Sequence, residues 1–276
     1  PLLAASLLGS TPSRLRAVPP LADVATSLAL LQSVGAGAMR QGSDLVVTPA
    51  GPLQGEIPDY LAGAMRSSVF YLAPLLCRVG MVRLPLPGGC RLGPRPVDIH
   101  LAGLAAMGAS VELEGIAVTL RRHGPLHGVD FTLRLPSVGA TMTLLMAATQ
   151  AGGTTILRGA ACEPEISDLA NFLRACGAHI TGAGTPVLVI QGGEPLHGAV
   201  WTPMPDRIAA ATYAAALACA GGEVTVTGCA PAYYAAFLDF LQAAGVDVAR
   251  QDDDVTLTRA PAQPLRGRQK LYANAW

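Results

Sequence analysis

Lysine is almost absent from this 276-residue chain: Lys270 stands alone, and every other permanently charged base is an arginine. Charge of either sign is scarce, at 14% of residues, and the formal net charge is zero. Such a chain offers no basic field to nucleic acid or to an anionic membrane surface. An anionic ligand would have to be met by a few placed arginines. Aromatic residues make up only 5%, yet 51% of the chain is hydrophobic, ample for a core in one or two domains. The six cysteines, Cys77, Cys90, Cys162, Cys176, Cys219 and Cys229, form no CxxC pair and have no spacing matched to histidines. This argues against a zinc site and against a secreted disulfide framework; free thiols in a reducing cytoplasm are expected. The first residues run straight into helix-like sequence without the basic stretch of a signal peptide. One uncharged segment, residues 135–157, is long enough to raise a membrane question. Pro136, Gly139, Gln150 and the pair Gly152 and Gly153 interrupt it, so a buried helix followed by a strand is expected.

What the chain does have is an internal repeat. A helical pattern closing on glycine recurs as LLQSVGA, LAAMGAS, LRACGAH and LQAAGVD, with Gly35, Gly108, Gly177 and Gly245 about 70 residues apart. A second marker, Gly9, Gly80, Gly152 and Gly221, keeps the same interval. Within each unit the pattern predicts helix, strand, helix, strand, strand. Residues 140–151 and 209–220 read as helices ending at a glycine cap, and residues 154–157 and 224–226 as the strands that follow. Ile166, Leu169, Leu173 and Cys176 share one face of a second helix, with Pro164 suited to its first turn and Gly177 closing it. Three units fit one domain, residues 1–204, and a fourth opens another, residues 205–276. A period this long disfavours the short solenoid repeats of binding arrays. Helix-strand alternation alone also fits an ordinary doubly wound sheet.

The segment LPLPGGCRLGPRPVDIH, residues 84–100, sets Cys90 on a Pro/Gly-rich loop between a strand and a helix. Arg91 and Arg95 flank the thiol and would favour its thiolate if they lie near it. Arg95 precedes a helix start, where free N–H groups and a guanidinium together suit a phosphate. A lone cysteine in a glycine loop is more often unreactive, so these features leave the matter open.

The loop LPGGCRLGPRPVDIH is similar to the cysteine loop of the UDP-N-acetylglucosamine enolpyruvyl transferases. AGAMRSSVFYLAPLL, LPSVGATMTLLMAAT, CEPEISDLANFLRACGA and MPDRIAAATY resemble further segments of that family, in its order, across essentially the whole chain. The resemblance implies an inside-out α/β fold of two domains, each of three repeats. It implies transfer of the enolpyruvyl group of phosphoenolpyruvate to the 3′-hydroxyl of UDP-N-acetylglucosamine, with no metal and no cofactor. Cys90 then matches the general acid toward phosphoenolpyruvate, and Arg66 a substrate-binding arginine. Arg95, Pro96, Val97, Asp98 and Ile99 match the strip that holds the uridine nucleotide; Ser137, Val138 and Gly139 match a diphosphate-binding turn. Read without the family, Arg66 is a solvated helix charge, Asp98 a first-turn residue favoured by the helix dipole, and Ser137 a helix cap. Glu163, Glu165 and Arg207 fall in matching segments with no step assigned. His100, His123, His127, His179 and His197 are expected as structural or surface residues.

Departures from the family pattern matter too. Its Lys-Asn pair would precede Pro1, and its acid-bearing Pro-rich segment would follow Trp276, so the chain is expected to be a piece lacking both ends and to bind nucleotide sugar without turnover by itself. Leu135 stands where relatives often carry lysine. The alternatives are a shikimate-pathway enolpyruvyl transferase and a non-catalytic nucleotide-sugar-binding paralogue. The expected location is the cytoplasm.

Overall fold

The computed structural model describes residues 1–49, 51–85 and 97–260. Cys90, Arg91, Arg95 and Pro96 lie outside the described residues. The chain divides into two compact units, one ending at Pro203 and one beginning at Met204.

The first unit holds three repeats of one design. The first has α1 (Leu2–Ala5), continued by a 3-10 turn over Ser6–Leu8, then β1 (Ser13–Leu15), α2 (Ala22–Ser33), β2 (Gly37–Gln41) and β3 (Asp44–Thr48). A short α3 (Asp59–Ala64) and a 3-10 turn over Arg66–Tyr71 lead into the second, made of α4 (Leu72–Val79), β4 (Met81–Pro85), α5 (Asp98–Ala106), β5 (Ala109–Glu114) and β6 (Ala117–Arg122). The linking strand β7 (Asp130–Thr132) precedes the third, with α6 (Val138–Gln150), β8 (Gly153–Arg158), α7 (Pro164–Ala175), β9 (His179–Thr181) and β10 (Val187–Gly192), followed by β11 (Val200–Trp201). The second unit repeats the order once, as α8 (Arg207–Ala220), β12 (Gly222–Val226), α9 (Ala235–Ala243), β13 (Asp247–Gln251) and β14 (Asp254–Arg259).

Helices occupy the middle of the first unit and sheets its outside. α6 carries no charge and is buried on every side from Ala140 to Thr149, packed against α4, α5, α7 and β10. That answers the membrane question raised by its composition. No helix among the described residues is long and apolar enough to cross a membrane. Two buried hydroxyls of α6 find partners close by, Thr141 Oγ1 accepting from Ala161 N at 3.1 Å and Thr149 Oγ1 donating to the Met146 carbonyl at 2.8 Å, while Thr143 Oγ1 has none among the described residues.

The caps behave as the repeat predicts at one marker and less uniformly at the other. Gly35, Gly108, Gly177 and Gly245 all take positive φ. Around three of them the backbone closes a Schellman motif, with Ala36 N on Leu31 O, Ala178 N on Leu173 O and Val246 N on Leu241 O. At the second marker Gly80 and Gly221 take positive φ, while Gly153 rather than Gly152 does so and Gly9 is extended. After Gly80, Gly152 and Gly221 a strand begins at the next residue, whereas β1 begins only at Ser13.

The three repeats close on one another in a ring. The segment after each hairpin pairs in parallel with the first strand of the next repeat: Glu56 with Arg83, and β7 with β8. After the third repeat, β11 returns to pair with β1, Arg14 opposite Val200. Each crossing carries the same four-residue pattern, Pro52-Leu53-Gln54-Gly55, Pro125-Leu126-His127-Gly128 and Pro195-Leu196-His197-Gly198. Its glycine is required by close approach. A Cβ on Gly55, Gly128 or Gly198 would meet the carbonyl oxygen of Met81, Thr154 or Pro12 at 2.1, 2.3 and 2.1 Å.

Candidate nucleotide pocket

The ring places the first turns of α2, α5 and α6 around one cavity of about 530 Å³, a volume suited to a small-molecule ligand. Asp23 comes from α2; Arg66, Ser67, Val69 and Phe70 from the 3-10 turn; Asp98, Ile99 and His100 from α5. Arg134, Leu135, Ser137 and Gly139 come from the approach to α6 and its first turn. Helix N-termini leave backbone N–H groups unpaired within the helix and carry the positive end of the dipole. At α6 the Ser137 hydroxyl accepts from Ala140 N at 3.3 Å, while the start of α5 has no side-chain cap. A second cavity, about 310 Å³, shares Asp23, Ser67 and Phe70 but is otherwise almost wholly apolar.

Two features set the electrostatics. Arg134 donates to Asp98 Oδ2 from Nε at 3.2 Å and from Nη2 at 2.7 Å, tying the approach of α6 to the start of α5. That hydrogen bond and charge hold the Asp98 carboxyl below the usual carboxylate range. His100 is 5% exposed, and among the described residues neither ring nitrogen has a hydrogen-bond partner of normal geometry. Burial first, then the Arg66 guanidinium, push its pKa down to about 4, outweighing the Val97 carbonyl and Asp98, which favour the charged form. The ring sits where Gly139 has no side chain: a Cβ there would lie 2.9 Å from His100 Nε2.

The thiols among the described residues are poor nucleophiles or donors where they are buried. Burial pushes Cys77 up to about 12 and Cys176 up to about 11. Groups of three or more metal-ligating side chains are absent among the described residues.

The family model described as EPSP synthase (3-phosphoshikimate 1-carboxyvinyltransferase) matches residues 1–271. The chain belongs to this family. UDP-N-acetylglucosamine 1-carboxyvinyltransferase of Cellvibrio japonicus is 44% identical to it over 265 residues, 96% of this chain and 63% of the relative. The enzyme of the same name from Desulfovibrio desulfuricans is 43% identical over 267 residues, 97% of this chain and 63% of that one. Among solved structures, the enolpyruvyl transferase NikO from Streptomyces tendae superposes with a TM-score of 0.81 at 26% identity, covering 96% of this chain and 63% of the other. EPSP synthase from Acinetobacter baumannii, at 17% identity, a TM-score of 0.70 and coverage of 93% and 62%, shares the fold. The chain thus spans 63% of the length of the curated relatives it matches.

Within this family member, the expected site residues Arg66, Asp98, Ile99, Ser137 and Gly139 line one cavity. Val97, the N-cap of α5, and Val138, the first residue of α6, flank that lining. Reading the sequence alone passed over Arg134 and Asp23, and it assigned His100 a structural or surface place. The available signal for Arg134 was its position just before a Ser-capped helix in a chain with few charges. Nothing local marks Asp23, whose place depends on how α2 packs.

Proposed function

We propose that the protein containing this chain transfers the enolpyruvyl group of phosphoenolpyruvate to the 3′-hydroxyl of UDP-N-acetylglucosamine and releases phosphate, the first committed step of peptidoglycan synthesis in the cytoplasm. The observation that carries this reading is the shared cavity of Arg66, Asp98, Ile99, Ser137 and Gly139, at the converging N-termini of α5 and α6. Two relatives named UDP-N-acetylglucosamine 1-carboxyvinyltransferase, over 40% identical along nearly the whole chain, support it. In this reading residues 1–204 form a complete three-repeat domain, and residues from 205 onward begin a second.

The nucleotide sugar is held by Arg66 and by the strip Arg95, Pro96, Val97, Asp98 and Ile99, with Ser137, Val138 and Gly139 presenting backbone N–H groups to its diphosphate. The sugar hydroxyl gives its proton to a base as its oxygen bonds to C2 of phosphoenolpyruvate, and C3 takes a proton from the acid, giving a tetrahedral adduct. Loss of a proton from the resulting C3 methyl group to a base, with departure of phosphate, forms the vinyl ether. Cys90 is the acid toward phosphoenolpyruvate, since a thiol donates a proton near neutral pH and is also nucleophilic.

Phosphate release from phosphoenolpyruvate should depend on UDP-N-acetylglucosamine and be abolished by Cys90→Ala. The epoxide fosfomycin should label Cys90 and leave Cys77 and Cys176 untouched, read by peptide mass spectrometry. Release driven by shikimate 3-phosphate instead would place the protein on the sister branch. Tight nucleotide-sugar binding with no phosphate release would make it a binding paralogue.

A further inference from the structure

We infer that Arg134 is the residue that makes this pocket accept the diphosphate of a nucleotide sugar, an inference that rests on the function proposed above. The charge balance of the cavity carries the argument. Its described lining holds two guanidiniums, Arg66 and Arg134, and two carboxylates, Asp23 and Asp98. Without Arg134, two carboxylates would face one guanidinium, and a ligand carrying two phosphate charges would be repelled. With it, Asp98 is neutralised and the positive ends of α5 and α6 decide the local field.

The geometry leaves Arg134 able to act on a ligand. Among the described residues, both of its hydrogen bonds go to the same Asp98 oxygen, through Nε and Nη2, and Nη1 makes no hydrogen bond. The pair is about half exposed, with side-chain exposures of 58% for Arg134 and 51% for Asp98. An ion pair in that setting is weak and exchanges readily for a stronger anion. A phosphate oxygen can therefore take Nη1, or draw the fork away from Asp98, at little cost. The neighbouring side chain, Leu135, supplies no charge, so the cation at the approach to α6 is Arg134.

Binding of UDP-N-acetylglucosamine and of uridine, measured on the same protein by calorimetry and by ligand NMR, separates the phosphate contribution from that of the base. Arg134→Met keeps the apolar stem and removes the charge. It should weaken UDP-N-acetylglucosamine by about ten- to a hundredfold, as loss of a charged hydrogen bond does, while uridine stays within about twofold. Arg134→Lys should recover most of the loss, and added salt should weaken wild-type binding more than that of Arg134→Met. Unchanged affinity of Arg134→Met for the nucleotide sugar would overturn the inference. So would an equal loss for uridine, which marks a structural role. Wild-type protein that binds no UDP-N-acetylglucosamine would sink the proposed function and this inference together.

Discussion

The missing side chain of Gly139 and the buried ring of His100 are one arrangement. A Cβ at 139 would stand 2.9 Å from Nε2 of a ring that is 5% exposed, so the imidazole would have to shift within the cavity lining to admit it. Gly139→Ala should therefore cost about 1–3 kcal/mol of overpacking, read from urea unfolding, and should weaken nucleotide-sugar binding as well. A urea midpoint equal to wild type would show that the ring yields freely. The same ring predicts a pH dependence. Its folded pKa, about 4, lies below the ordinary 6.5, so protons bind the unfolded chain first. Stability from this group is complete above pH 6.5 and falls as the pH drops from there towards 4. His100→Asn should flatten the loss between pH 7.5 and 5 by about 2 kcal/mol relative to wild type. Parallel curves for the two proteins would mean the imidazole is not held neutral.

At the level of elements, the ring of repeats depends on glycines whose neighbours are backbone. At Gly128 the obstacle is Thr154 O at 2.3 Å, where β7 enters beside β8. A carbonyl in a paired strand cannot swing aside as a side-chain tip can. Gly128→Ala should cost about 3 kcal/mol or more, whereas Gly124→Ala, with nothing within 4 Å of its Cβ, should stay within about 0.5 kcal/mol. Equal thermal midpoints for these two variants would contradict the closure described here. The helices themselves were legible because their signals are local. Pro164 opens α7, Gly177 follows its end, and Ile166, Leu169, Leu173 and Cys176 are all buried as their spacing requires. The Pro-Leu-x-Gly crossings recur at the same interval of about 70 residues, as does Pro264-Leu265-Arg266-Gly267 in the sequence. Their purpose emerges only from the strand each glycine touches.

Across the whole molecule, helices at the same place in two repeats differ sharply in burial. α6 is covered on all sides from Ala140 to Thr149, whereas α8 buries Ala210, Ala214, Leu217 and Ala218 and leaves Ile208 and Tyr213 59% and 66% exposed. Ile208 and Tyr213 present apolar surface of the kind that takes up an apolar probe. A polypeptide of these 276 residues should bind an apolar fluorescent dye, and Ile208→Glu with Tyr213→Glu should remove much of the signal. Dye binding untouched by the pair would place the exposed surface elsewhere.

The sequence by itself determined the period, the order of helix and strand, the glycine caps and the segments that resemble the family, because each depends on residues close together in the chain. The tertiary structure decided which of those segments meet. Arg66, Asp98 and Arg134 belong to different elements, and only the packing of α5 beside α6 brings their charges into one cavity. The same packing buries His100 against Gly139 and turns a histidine with no local mark into a neutral group at the edge of the pocket. Charge balance and burial are sums over neighbours that the chain order does not name, and so they were fixed by the fold.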